Sequence, residues 1–152
     1  MDVISSRERA ERGYRRLVEI GIALASERNH DRLFEKILIA AKEVGNADGG
    51  SLYLLDEDGR ELRFAIMRND TMGIAVGGTT GEAIPFPPVP CRGPNGEPNY
   101  TSVVASAALT GNTVNIADAY DAPGFDFSMP RAFDARTGYR SQSFLTVPLK
   151  NH

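Results

Sequence analysis

The chain has 152 residues, 41% of them hydrophobic, with 17 Lys and Arg against 20 Asp and Glu, a net charge of −3. That is enough for one ordinary core, and the slight acidic excess argues against a dedicated nucleic-acid binder, which carries a basic patch or stripe. No apolar run approaches the ~20 residues of a membrane helix, the charged start has no signal-peptide core, and the single cysteine, Cys91, has no internal partner; a cytoplasmic location is expected.

Residues 5–26 are expected to form a helix capped by Ser5 or Ser6. Tyr14, Leu17, Gly21 and Leu24 recur at steps of three and four, beside Val18 and Ile20. The bland reading is an amphipathic helix docked on its own domain. The sharper one is a seam of coiled-coil spacing that pairs with a second copy, although it is shorter than three or four heptads.

A second helix, residues 30–44, presents Leu33, Phe34, Ile37, Leu38, Ala41 and Val44 on one face. Asn29 or Asp31 caps its start, and Gly45-Asn46 ends it where a left-handed residue is cheapest. His30-Asp31 has the look of a metal-phosphohydrolase dipeptide. The other histidine is His152, too little for a site of three or four ligands, so no metal is expected.

Residues 51–55 and 61–67 read as two strands joined at Asp58-Gly59, hence antiparallel neighbours. Leu62, Phe64 and Ile66 alternate with Glu61, Arg63 and Ala65. The acidic run at 56–58 is expected to be a solvated turn, since no spaced calcium loop follows it. Six of the nine prolines and six glycines lie between Gly73 and Pro98. Such a stretch leaves room for at most a short edge strand near residues 83–86. Gly77-Gly78-Thr79-Thr80-Gly81 is only superficially a phosphate cradle, lacking the Lys-Ser/Thr ending. Cys91 has no neighbouring base to activate it.

Residues 101–109 make a short helix of small side chains capped by Thr101. A strand at 113–116, an acidic and aromatic loop, a small helical turn and a buried strand at 143–149 complete the chain. Asp118, Asp121 and Asp126 invite an acid-catalyst reading, but alternation with Ala, Pro and Gly favours turn chemistry.

The run from Thr113 through Asp118 to Tyr120, then Pro123 to Phe125, Thr137-Gly138-Tyr139-Arg140-Ser141 and residues 143–150 resembles a GAF domain. It is most similar to those of cyclic-nucleotide phosphodiesterases, bacterial cyclases and HD-type phosphohydrolases, and Ser51 to Asp56 matches that family's first strand. The resemblance implies an α+β, PAS-like fold: an antiparallel sheet with helices on one face and a ligand cleft under loops on the other. It divides the chain into an N-terminal signalling helix, 1–28, and a GAF domain, 29–152. The family's last strand, its C-terminal helix and the Asn-Lys … Asp-Glu signature do not follow, so the resemblance implies a piece of a longer signalling protein.

By the same resemblance the chain is a regulatory small-molecule sensor, not an enzyme, and cAMP or cGMP is the implied ligand. It would act on a C-terminal effector domain, while the seam of the first helix adds a homodimer and the charge balance and hydropathy argue against nucleic-acid and membrane contact. Ser51 would touch the base, Val103 and Val104 would offer backbone amides near the phosphate, and Asp134, Thr137 and Ser141 would line the lid. The residues themselves equally admit scaffold roles: Asp134 capping a one-turn helix before Gly138, Thr137 and Ser141 bonding local backbone, Ser51 merely opening a strand. A ligand-free dimerisation scaffold is the alternative. A bilin chromophore is disfavoured because Arg92 follows Cys91 where bilin-binding members have Cys-His.

Overall fold

The structure, a computed structural model, describes residues 2–150; His152 lies outside them. In chain order the elements are α1 (Asp2–Ser26), α2 (His30–Gly45), β1 (Gly49–Leu55), β2 (Glu61–Asn69), β3 (Ile74–Gly77), a 3₁₀ turn (Gly78–Thr80), β4 (Val89–Pro90), α3 (Val103–Thr110), β5 (Val114–Ile116), α4 (Ser128–Thr137) and β6 (Phe144–Thr146). One sheet has the order β1-β2-β3, with β4 also paired to β2, and β5 pairs with β6 in a second. The pairings β2–β3, β2–β4 and β5–β6 are antiparallel. The fold is α+β. Two compact units arise, one holding the chain to Leu52 with Ala65–Ile84, the other Tyr53–Phe64 with the chain from Pro85 on.

In the first unit, α2 starts where the Asn29 side chain accepts the Arg32 amide and ends at Asn46, left-handed at φ 48°. Asn29, not Asp31, is therefore the cap, and His30 simply opens the helix. The Arg16 guanidinium grips both Glu43 oxygens at 2.7 Å, tying α1 to α2. Ile20 and Leu24 are half-buried, while Tyr14 (70%), Leu17 (55%), Val18 and Ile22 (66%) stay exposed. The exposed stripe thus runs 14-17-18-22, and Leu24 has left the expected seam. Leu38 is buried, and a Cβ on Gly50 would stand 2.8 Å from its Cδ1, so α2 can approach β1 only over a glycine.

The glycine-rich turn after β3 does hold an anion, but an internal one. A single Glu35 oxygen accepts the Thr79 hydroxyl (2.7 Å), the Thr79 amide (3.3 Å) and Arg68 Nη2 (2.7 Å). The Thr79 hydroxyl leads in holding the Glu35 carboxyl below its ordinary range; partial burial opposes this, and the Thr79 amide and Arg68 reinforce it. Gly77 (φ 74°, ψ −172°) takes a conformation open in practice only to glycine, and a Cβ there would lie 2.4 Å from the Ala65 carbonyl oxygen.

The strand expected near 83–86 does not form. Pro85, Pro87 and Pro88 remove ladder donors there, and pairing moves to proline-free Ile74–Gly77 and to the two residues Val89–Pro90. The turn between β1 and β2 explains the acidic run: Asp56 Oδ1 accepts the amides of Arg60 (2.6 Å) and Glu61 (3.2 Å).

In the second unit, Leu62, Cys91 and Ala105 form one buried cluster, and Val103, Ile116, Ala119 and Phe127 another. The small-residue helix α3 serves both. Its cap is Ser102, which accepts the Ala105 amide; the expected cap, Thr101, spends its hydroxyl on Asn99 instead. β6 is shorter than the strand expected at 143–149. Its partner β5 offers three residues, in the register Val114↔Thr146 to Ile116↔Phe144. Leu145 (64% exposed), Val147 and Leu149 face outward, so this end is not a buried strand.

Candidate functional site

The expected small helical turn is the ten-residue helix α4. Pro130 is tolerated because it lies in the first turn, and Arg131, Ala132, Ala135 and Arg136 sustain the helix to Gly138. Asp134 is therefore interior to the helix and caps nothing. It is buried (5% exposed) and accepts three hydrogen bonds: from the Tyr120 hydroxyl (2.7 Å), the Ser141 amide (2.8 Å) and the Ser141 hydroxyl (2.8 Å). One carboxylate thus ties the 118–121 loop to α4 and to the segment leading into β6.

Around it, the Tyr120 ring lies beneath two guanidinium carbons, Arg140 at 3.6 Å and Arg131 at 4.6 Å from its centroid. Arg131 also donates to the Tyr120 carbonyl (3.1 Å), and Arg140 donates to Asp118 (2.9 Å) and to the Ser141 carbonyl. Asp118 does turn chemistry as well, accepting the Tyr120 amide at 2.9 Å. Burial alone would raise the Asp134 carboxyl, but the Tyr120 hydroxyl, both Ser141 donors and the Arg140 charge outweigh it and hold it below the ordinary carboxylate range. The same bond, seconded by desolvation and the carboxylate's charge, raises the Tyr120 phenol above its ordinary value.

A row of rings crosses the same unit. Centroid separations are 4.4 Å for Tyr53–Phe64, 5.7 Å for Phe64–Phe86, 6.5 Å for Phe86–Phe133 and 6.3 Å for Phe133–Tyr139. All five are half-buried. Elsewhere in the unit, residues 119–131 line an open, solvent-facing depression of about 540 Å³ whose wall includes Tyr120, Asp121, Phe125, Asp126 and Arg131.

Of the six residues expected to meet a ligand, Asp134 and Ser141 are brought into direct contact. Thr137 is exposed and donates to the carbonyl of Phe133 (2.8 Å), one turn back. Val103 is buried in the cluster with Ile116 and Phe127, and Val104 packs beside Ala105 and Cys91. Ser51 is half-buried on β1, in the first unit. None of the six lines the 540 Å³ depression. Tyr120, Tyr139 and Arg140 entered the sequence reading only as motif residues with no role, and Arg131 with the rest of the aromatic row went unrecognised. The five rings lie far apart along the chain and have no common period, so only folding assembles them. Among the described residues no cluster of His, Cys, Asp or Glu suits a metal ion. Cys91 is 1% exposed, and burial, with the Asp56 charge behind it, pushes its thiol up despite Arg92, the reverse of a reactive thiolate.

The chain belongs to the GAF domain family, whose model matches residues 29–152. Members of this family are regulatory, ligand-binding and signalling modules. Solved structures agree on the fold. The GAF domain of a phosphoenolpyruvate-protein phosphotransferase from Coxiella burnetii matches with a TM-score of 0.59 at 13% identity, over 91% of this chain and 69% of that one. The corresponding domain from Acinetobacter matches at 0.57 and 15%, with the same coverages. A free methionine-R-sulfoxide reductase from Neisseria meningitidis, solved with its substrate, matches at 0.56 and 19%, over 89% of this chain and 63% of that one. At these identities the likeness is one of fold. Among the described residues no helix is long and apolar enough to cross a membrane.

Proposed function

We propose that this chain is a cytoplasmic sensor that binds a small planar ligand against the half-buried aromatic row and passes its occupancy to an effector domain of a signalling protein. The row carries the reading. Five partly covered rings in mutual contact make a wall against which a planar ligand can stack. A cyclic nucleotide, cAMP or cGMP, is the ligand proposed. Stacking is worth about 1–3 kcal/mol per base on an aromatic side chain, and the first amides of α3, at Val103 and Val104, suit a phosphate. Asp134, Ser141 and Thr137 stay in the proposed set, with Asp134 and Ser141 acting first by fixing the lid, because Asp134 accepts both the Ser141 amide and its hydroxyl. The function is regulatory rather than catalytic, in keeping with the buried, protonated Cys91. For binding to regulate, the ligand must prefer one of two arrangements of the chain.

Calorimetry with cAMP, cGMP and a panel of planar metabolites tests the reading. Heat of binding that Phe86→Ala or Phe133→Ala abolishes is the expected result; binding that ignores both substitutions contradicts it.

A second reading, a ligand-free dimerisation scaffold acting through α1, draws on the exposed stripe of Tyr14, Leu17, Val18 and Ile22. The two readings are compatible if ligand occupancy biases the pairing of α1 helices. Sedimentation of the wild type and of Leu17→Asp decides the dimer.

A further inference from the structure

The hollow along residues 119–131 shares no residue with the aromatic row, and its chemistry differs. It is an open depression of about 540 Å³ with exposed charged groups at its rim, room for a small molecule that keeps part of its surface in solvent. Its ionised lining groups are Asp121, Asp126 and Arg131, two negative charges against one positive, which repels a phosphate-bearing ligand.

These groups are not equally committed. Asp126 accepts the Ser128 amide (2.9 Å) and steadies the start of α4. Arg131 spends one donor on the Tyr120 carbonyl, leaving most of its five N–H groups for another acceptor. Among the described residues no hydrogen bond or ion pair reaches the Asp121 carboxylate. Phe125, with Ala122 and Pro123, gives the wall an apolar part.

We infer that this depression is a second ligand site, taking a small zwitterion: an ammonium on Asp121, a carboxylate on Arg131 and an apolar side chain against Phe125. Free α-amino acids are the simplest molecules of this class. Arg131 gives the site a consequence. A ligand carboxylate that engages the guanidinium draws it from the face of Tyr120, whose hydroxyl holds Asp134 and through it Ser141. Occupancy is therefore reported to α4 and to the approach to β6.

The test uses the whole chain and the probes L-leucine, L-methionine and L-phenylalanine, each also as its N-acetyl and its carboxamide derivative. The chain has no tryptophan, so tyrosine emission excited selectively can be followed beside calorimetry for the non-aromatic probes, with Tyr120→Phe as the control. The expected result is binding of at least one free amino acid, weakened about tenfold or more when either end is blocked. Asp121→Asn should weaken the free amino acid but leave the N-acetyl form unchanged, and Arg131→Gln should weaken the free form but not the carboxamide. The Asp121 side chain makes no bond that the fold needs, and its amide bond to the Asp118 carbonyl survives in Asp121→Asn, so this variant keeps the test valid if Arg131→Gln unfolds. Blocked forms binding as well as free ones, or no free amino acid binding at about 10 mM, overturns the inference. Neither failure touches the aromatic row, which is probed with planar ligands and its own substitutions.

Discussion

Asp134 concentrates more hydrogen bonding than any other group in the candidate site: three donors from two segments converge on a side chain that water hardly reaches. Removing it leaves the Tyr120 hydroxyl and the Ser141 amide and hydroxyl without their acceptor, a loss of about 2–4 kcal/mol for Asp134→Ala in urea unfolding. Asp134→Asn should recover part of that, since its amide oxygen still accepts one donor. A loss under about 0.5 kcal/mol would mean that the bonds do not hold the lid. The pH dependence follows from the direction of the shift. The folded carboxyl lies below its unfolded value of about 3.9, so its contribution is complete above that value and disappears as pH falls through the folded one. Wild type and Asp134→Asn should therefore converge in unfolding midpoint at the acid end and diverge above about pH 4. The family motif named Asp134 and Ser141 as lid residues facing a ligand, and their bonding to each other came only with the fold. Tyr120 was not legible, because nothing local in its sequence announces that a ring fourteen positions away will deliver a hydroxyl to that carboxylate.

At the scale of elements, periodicity found both long helices and the first two strands, and it failed where short pieces depend on their neighbours. The cap of α3 is Ser102, whose hydroxyl accepts the Ala105 amide, while Thr101 stands one residue too early and donates to Asn99, a one-residue shift invisible before folding. Ser102→Ala should cost about 1 kcal/mol, and Thr101→Ala distinctly less; equal losses in a thermal melt would refute the assignment. Gly77→Ala should cost about 1–3 kcal/mol from backbone strain alone, before the clash with the Ala65 carbonyl, and an undiminished melting temperature would contradict the turn geometry. α1 sharpened rather than changed. Its exposed stripe runs through Ile22 instead of Leu24, so Ile22→Asp as well as Leu17→Asp should convert a sedimenting dimer to monomer without lowering stability. A monomeric wild type removes the dimer.

For the whole molecule, the α+β class and the GAF membership were readable because paired motifs at long spacing survive where local propensity is ambiguous. The aromatic row was not, since Tyr53, Phe64, Phe86, Phe133 and Tyr139 come from two strands, a proline-rich loop, a helix and the turn after it. The central claim is that this row binds a planar regulator. Thermal unfolding of the wild type and of Phe133→Ala, with cAMP, cGMP and planar metabolites, tests it most directly. A ligand at about 100 times its dissociation constant adds about 2.7 kcal/mol, a rise of roughly 5–11 °C for a domain of this size. The account predicts that rise for one of these ligands with the wild type and its loss in Phe133→Ala; no rise with any of them, or an equal rise in both proteins, contradicts it.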